Sequence, residues 1–134
     1  MMPITYKVLD DGHFLCATAS APLSADDFVE YEMAHAADER IKPPVSELFE
    51  IKHDSCKDIS KEEFLEVLER RNEMLKKPTP HRLAIVIHYA DSHAWDLAKF
   101  YEGMVLLHNP ESVVLFGDIQ LARIWLGVEE VQVE

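Results

Sequence analysis

Glycine is scarce: the chain of 134 residues has four, Gly12, Gly103, Gly117 and Gly127. None belongs to a G-x-G-x-x-G or P-loop pattern, in which bare backbone amides approach a phosphate. A conventional dinucleotide or P-loop site is therefore excluded, and no cofactor motif replaces it. Cysteine is scarcer still, with Cys16 and Cys56 alone. Their spacing makes neither a metal knuckle nor a redox pair. They read as two reduced thiols, one of them in a buried strand. Bases are outnumbered by acids, 13 to 25, for a net charge of −12. Such a field repels phosphate backbones, so nucleic acid and anionic membrane are poor partners. No apolar run approaches the roughly 20 residues of a membrane helix, which argues against membrane insertion. The first residues, MMPITYKVLDD, lack the basic segment and apolar core of a signal peptide. The expected location is cytoplasmic.

Core-forming residues are plentiful. Hydrophobic residues make up 48% of the chain and charged residues 28%, the balance of a globular protein. The length suits one domain over residues 1–134. Residues 83–87, Leu-Ala-Ile-Val-Ile, are an unbroken apolar run. They read as a strand buried on both faces, which places helices on both sides of a sheet. A polar turn and a helical pattern follow.

Around this stretch the other elements fall into order. Residues 4–9 and 13–20 read as strands, and Asp10-Asp11-Gly12 between them is a turn signal that makes the pair an antiparallel hairpin. Ser24, with Asp27 three residues on, caps a helix running to about Glu39. Pro43-Pro44 precedes a strand over 45–52 whose buried members are Leu48, Phe49 and Ile51. Residues 53–59 are a polar connection. Ser60-Lys61-Glu62-Glu63 is a capping box opening a helix to about Lys77, which Pro78 and Pro80 stop. Asn109-Pro110 ends the next helix, and 112–116 is a fifth strand. Asp118 caps a final short helix over 119–126 whose apolar face is Leu121, Ala122, Trp125 and Leu126, with Gly127 as its stop. The order β-β-α-β-α-β-α-β-α predicts an α/β fold: a mixed, mostly parallel sheet with an N-terminal hairpin and helices on both faces.

Several residues can bear chemistry, each with a structural counter-reading. His88, Tyr89, Asp91, Ser92 and His93 crowd the turn after the apolar strand. Two imidazoles and a carboxylate suit metal ligation or acid–base work near neutral pH. Asp91 or Ser92 is equally a helix cap, and no H-E-x-x-H or C-x-x-C spacing supports zinc. His53, Asp54, Cys56 and Asp58 resemble a ligand cluster, or a solvated connection. Ser60 is a candidate phosphoacceptor at a helix N-terminus, or simply a cap. Arg70, Arg71, Lys76, Lys77, His81 and Arg82 form a local basic cluster. It reads as an anion-binding patch or as cations offsetting the negative end of a helix. Trp95 and Phe100 fall off the apolar stripe of their helix and are candidates for a partner surface.

The last third of the chain carries a family pattern. R-L-A-I-V-I-H from residue 82, F-Y-E-G at 100–103 and V-V-L-F-G-D-I-Q-L-A-R-I-W-L from 113 resemble the SpoIIAA-like proteins related to STAS domains. Phe116, Asp118, Ala122, Trp125 and Leu126 carry the match. The resemblance implies a sheet of four or five strands with helices on both sides, and a class that is mostly non-enzymatic. In the wider group, antagonists of anti-sigma factors are phosphorylated on a serine within an Asp-Ser-Ser-Gly type sequence. Asp58-Ile59-Ser60-Lys61 stands at the matching place, keeping the hydroxyl of Ser60 but not the glycine. Other relatives hold apolar ligands between sheet and helices. The expectation is a non-catalytic module without a cofactor or metal that binds a protein partner or a second copy as a homodimer. The alternative is a carrier or sensor of a small apolar, lipid-like molecule. A hydrolase or metal enzyme using His88, Asp91 and His93 is the third reading.

Overall fold

The computed structural model describes residues 3–20, 22–74, 81–108 and 112–131. Five strands form one sheet in the order β1 (Ile4–Leu9), β2 (Phe14–Ala19), β3 (Val45–Ile51), β4 (His81–Ile87) and β5 (Ser112–Phe116). β1 pairs antiparallel with β2, Leu9 opposite Phe14. The remaining three pairings are parallel. The hairpin turn is a short 3-10 segment, Asp10–Gly12, with Asp10, Asp11 and Gly12 all left-handed at φ of 52°, 54° and 96°. Gly12 also accepts a hydrogen bond from the Lys42 amide at 2.8 Å. A Cβ there would lie 2.2 Å from the Arg40 carbonyl oxygen, so both geometry and space require glycine.

The crossover helices are α1 (Ala25–Ala36), α2 (Lys61–Met74) and α3 (Ser92–His108). Each crossover steps one strand further in the same direction. Right-handed connections of that kind stack every crossover helix on one face. The main core shows the result: Leu15, Phe49, Ile85 and Ile87 from the sheet pack with Tyr31 of α1, Phe64 of α2, and Leu97 and Tyr101 of α3. Among the described residues, α4 (Ile119–Leu126) and the Val128 and Val131 side chains after it cover the opposite face, over Phe14, Leu48, Ala84 and Val86. The α/β class, the hairpin and the helices on both faces agree with the sequence reading, with the helices divided three to one.

Alternation explains the division. In β4, Leu83, Ile85 and Ile87 face the three-helix side while Ala84 and Val86 face α4, and all are buried. The strand is buried on both faces as its apolar run predicts, and it lies beside β3, the middle strand. In β3, Val45, Phe49 and Ile51 face the three helices, and Leu48 faces α4. Glu47 shares the inward register and is only 3% exposed. It is a buried carboxylate where an alternating strand would place a hydrocarbon.

Caps behave as their chemistry dictates, and some boundaries move. Asp27 Oδ2 accepts the Ser24 amide at 2.8 Å at the start of α1. The helix ends at Ala36, short of the expected Glu39. Asp38 is instead engaged by Arg40, at 2.6 and 2.9 Å, and by the Tyr6 hydroxyl at 2.9 Å. Asp118 Oδ1 accepts the Gln120 amide at 2.7 Å, and Gly127 closes α4 in the left-handed conformation. Leu121, expected on the buried face of α4, is 57% exposed. Ala122 and Leu126 are buried, and Ile119 and Trp125 flank them. The expected stops at Pro78, Pro80 and Asn109-Pro110 lie outside the described residues. Among the described residues, no helix is long and apolar enough to cross a membrane.

Candidate functional site

The turn after β4 is built as a structural joint. Asp91 is 6% exposed. Its Oδ1 accepts the Ala94 amide at 3.2 Å, capping α3, and its Oδ2 accepts the Asp54 amide at 3.0 Å. One carboxylate thus starts a helix and ties down the β3–α2 connection. His93 Nε2 donates to the Ile59 carbonyl at 2.6 Å, a second tie to the same connection. His88 turns the other way. Its Nδ1 accepts the Ala90 amide, and its ring centroid lies 4.6 Å from that of Tyr89, in a stacked contact, and 4.6 Å from that of His53, in a tilted one. His88 and His93 therefore do not converge on a common point. Among the described residues, no group of three or more His, Cys, Asp or Glu is placed to hold a metal ion.

The remaining sequence candidates also take structural positions. Ser60 and Glu63 form the reciprocal capping box at 3.1 and 3.3 Å. A phosphate on Ser60 would add charge beside the Glu63 carboxylate. The connection read as solvated is buried in part: Ser55, Cys56 and Ile59 are inside, while His53, Asp54 and Asp58 are exposed. Cys56 is the buried thiol and the strand residue Cys16 is half-buried, the reverse of the expected pair, and both are free. The basic cluster separates where it is described. Arg70 pairs with Asp26 of α1 at 3.0 Å. Arg82 donates to the Leu126 carbonyl at 2.8 Å and lies over the Trp125 ring at 5.1 Å. It is a cation at a helix C-terminus, but that of α4. Trp95 and Phe100 are half-buried against the main core, and Trp95 Nε1 donates to the His88 carbonyl at 3.1 Å. They do not form a flat exposed face.

The residues that sequence reasoning missed line a cleft between the sheet and α1–α3, the region where the family resemblance implies an apolar ligand. The cleft of about 60 Å³ is walled by Phe28, Tyr31, Phe49, Phe64 and Tyr101, with aliphatic side chains such as Leu83 and Ile85 beneath. At roughly 10–15 Å³ for each water, that is room for about four to six water molecules. Glu47 and Glu32 are its carboxylates. The Tyr31 hydroxyl donates to Glu47 Oε2. Burial, reinforced by the Glu47 carboxylate, pushes the Tyr31 phenol well above its ordinary value, so it stays a neutral donor. Tyr31 is also in ring contact with Tyr6, Phe49 and His35, and His35 pairs with Glu32 at 3.1 Å. The available signal was an acid at an inward position of an alternating strand, which needs hydrogen-bond partners inside the protein.

Comparison with family models, with curated proteins and with solved structures yields no match.

Cys56 lines the cleft. Burial, with a smaller contribution from the Asp91 carboxylate, pushes its thiol up to about 12 from an ordinary 9.0. The folded protein holds that proton where the unfolded chain releases it, so stability is full below the ordinary value and falls as pH rises from about 9 to about 12. Denaturant unfolding at stepped pH should show this alkaline decline, and Cys56→Ala should make it shallower.

Proposed function

We propose that this chain is a small non-catalytic module, similar to the SpoIIAA-like, STAS-related proteins, that carries or senses a small, largely apolar ligand in the cleft between its sheet and α1–α3. The cleft is the observation that carries this reading. A concave, mainly hydrophobic pocket with a few convergent polar groups is the usual form of a small-molecule site. Half-buried Phe28 and Glu32 place its accessible side at α1. The residue pattern from 113 to 126 and the order of elements support the family likeness. In this reading Ser60 serves as the cap of α2, and Asp91 and His93 serve as ties between connections. None of the three is a chemical group of the site.

Xenon is a suitable probe, being apolar, compact and free of polar demands. Under xenon pressure, the methyl resonances of Val67, Leu83, Ile85 and Leu97 should shift, and Ala98→Leu, which fills the space, should abolish the shift. Unmoved methyls in the wild-type chain would end the ligand reading.

One observation favours a second reading, self-association. Leu121 and Ile124 stand three residues apart on α4, 57% and 59% exposed. That spacing makes them neighbours on one helical face, and exposed apolar patches mark interaction sites. Light scattering over a concentration series should then give a dimer that Ile124→Glu converts to a monomer. A monomer at every concentration would remove this reading.

A further inference from the structure

The hairpin leaves one edge of the sheet open. β1 is the end strand, and its partner on the inner side is β2. Two bonds fix which way its backbone groups point. The Ser20 amide donates to the Pro3 carbonyl at 3.0 Å, and the Lys52 amide, just past β3, donates to the Ala19 carbonyl at 2.9 Å. Successive residues of β2 therefore serve β1 and β3 in turn, and Thr5, Lys7 and Leu9 bond to β2. The amides and carbonyls of Ile4, Tyr6 and Val8 point away from the sheet, and no described residue pairs with them. Ile4 is 5% exposed, so the half-buried Tyr6 and Val8 are the open positions. We propose that this edge takes an extended, basic segment of a partner protein, added antiparallel to β1 as a sixth strand.

Strand, helix and charge each favour that occupant. Edge strands are usually blunted by a proline or a bulge. β1 runs from Ile4 to Leu9 in unbroken register with neither. Its outward amides and carbonyls accept a main-chain partner of any sequence, and the flanking side chains select it. Tyr6 and Val8 lie on the three-helix side, at the rim of the main core. α1 overhangs that side: Tyr31 touches the Tyr6 ring, and Asp38, just past the helix, accepts the Tyr6 hydroxyl at 2.9 Å. Phe28 and Glu32 turn to the cleft. The opposite flank of α1 therefore carries the exposed Glu30 and, one turn on, the small Ala34. A Lys or Arg on the helix side of an added strand lays its hydrocarbon stem on Tyr6 and Val8 and carries its charge toward Glu30. Lys7 alternates with these residues and points to the other face of the sheet, so it does not oppose that charge. At longer range the net charge of −12 draws basic segments and repels acidic ones.

The probe is the end-capped pentapeptide Thr-Arg-Val-Arg-Thr, added to saturation to the wild-type chain near pH 7 and followed by amide hydrogen exchange. In the dilute free chain, the Tyr6 and Val8 amides should exchange at least about tenfold faster than those of Thr5 and Lys7. The peptide should slow Tyr6 and Val8 at least about tenfold and leave Thr5 and Lys7 unchanged. In an antiparallel pair, the residues that share the Tyr6 side point their amides at β1. N-methylation of both arginines should therefore abolish the protection, and N-methylation of the central valine should preserve it. The acidic peptide Thr-Glu-Val-Glu-Thr should give none. No protection by the basic peptide, equal protection by the two N-methylated forms, or equal protection by the acidic peptide would overturn the inference. So would Tyr6 and Val8 amides that are already slow in the dilute chain. Protection that rises with protein concentration in the absence of peptide would assign the edge to a second copy and overturn it as well. These readouts do not involve the cleft, so they stand or fall independently of the ligand reading.

Discussion

The Tyr31 hydroxyl and the Glu47 carboxylate meet inside the molecule, and much else depends on that contact. Glu47 lies on β3, the central strand, facing the three-helix layer. A carboxylate in that place loses its hydration, a cost that only hydrogen bonds and favourable charge can offset. Tyr31 meets the demand from α1. The bond fixes the position of α1 over the sheet and brings Tyr31 against Tyr6, His35 and Phe49. The same placement sets one wall of the cleft. A hydrocarbon at position 47 would pack there without such a partner, but it would leave an unmarked apolar wall.

The direction of the chain does the rest. Crossovers that advance in one sense across a sheet of sequential strand order build a thick side with three helices and a thin side with one. A thin side covered by the eight residues of α4 and the valines just after it has little depth for a ligand. The thick side has three helices whose rings meet over β3 and β4, and the cleft opens there. Asp91 and His93 hold the start of α3 against the β3–α2 connection, both by bonding its backbone. The polar turn that invites a catalytic reading is thereby occupied with holding the scaffold together.

Local signals made most of the fold legible. The apolar run at 83–87, the serine and aspartate caps, and Gly127 each act through neighbours in sequence, and each element appears close to where its signal lies. What depends on distant partners was not legible. Asp38 left α1 because Arg40 and Tyr6 engage it, and Leu121 faces solvent because α4 is rotated to bury Ala122 and Leu126. The candidate site was the least legible of all. An acid in a strand reads as an outward residue until the register of β3 and the position of Tyr31 are known together. His88, Asp91 and His93 were conspicuous in sequence because they are close in number, yet their side chains serve different partners. The rings of the cleft come from α1, β3, α2 and α3, and no single window of sequence contains them.

The buried pair is open to direct measurement by a double-mutant cycle. Denaturant unfolding of the wild-type chain, Tyr31→Phe, Glu47→Gln and the double variant isolates the energy shared by the two side chains. A buried hydrogen bond to a carboxylate predicts a coupling of about 1.5–3 kcal/mol. Additivity to within about 0.5 kcal/mol would mean that the two groups do not act on each other, and would contradict a fold in which their contact positions α1 over the sheet.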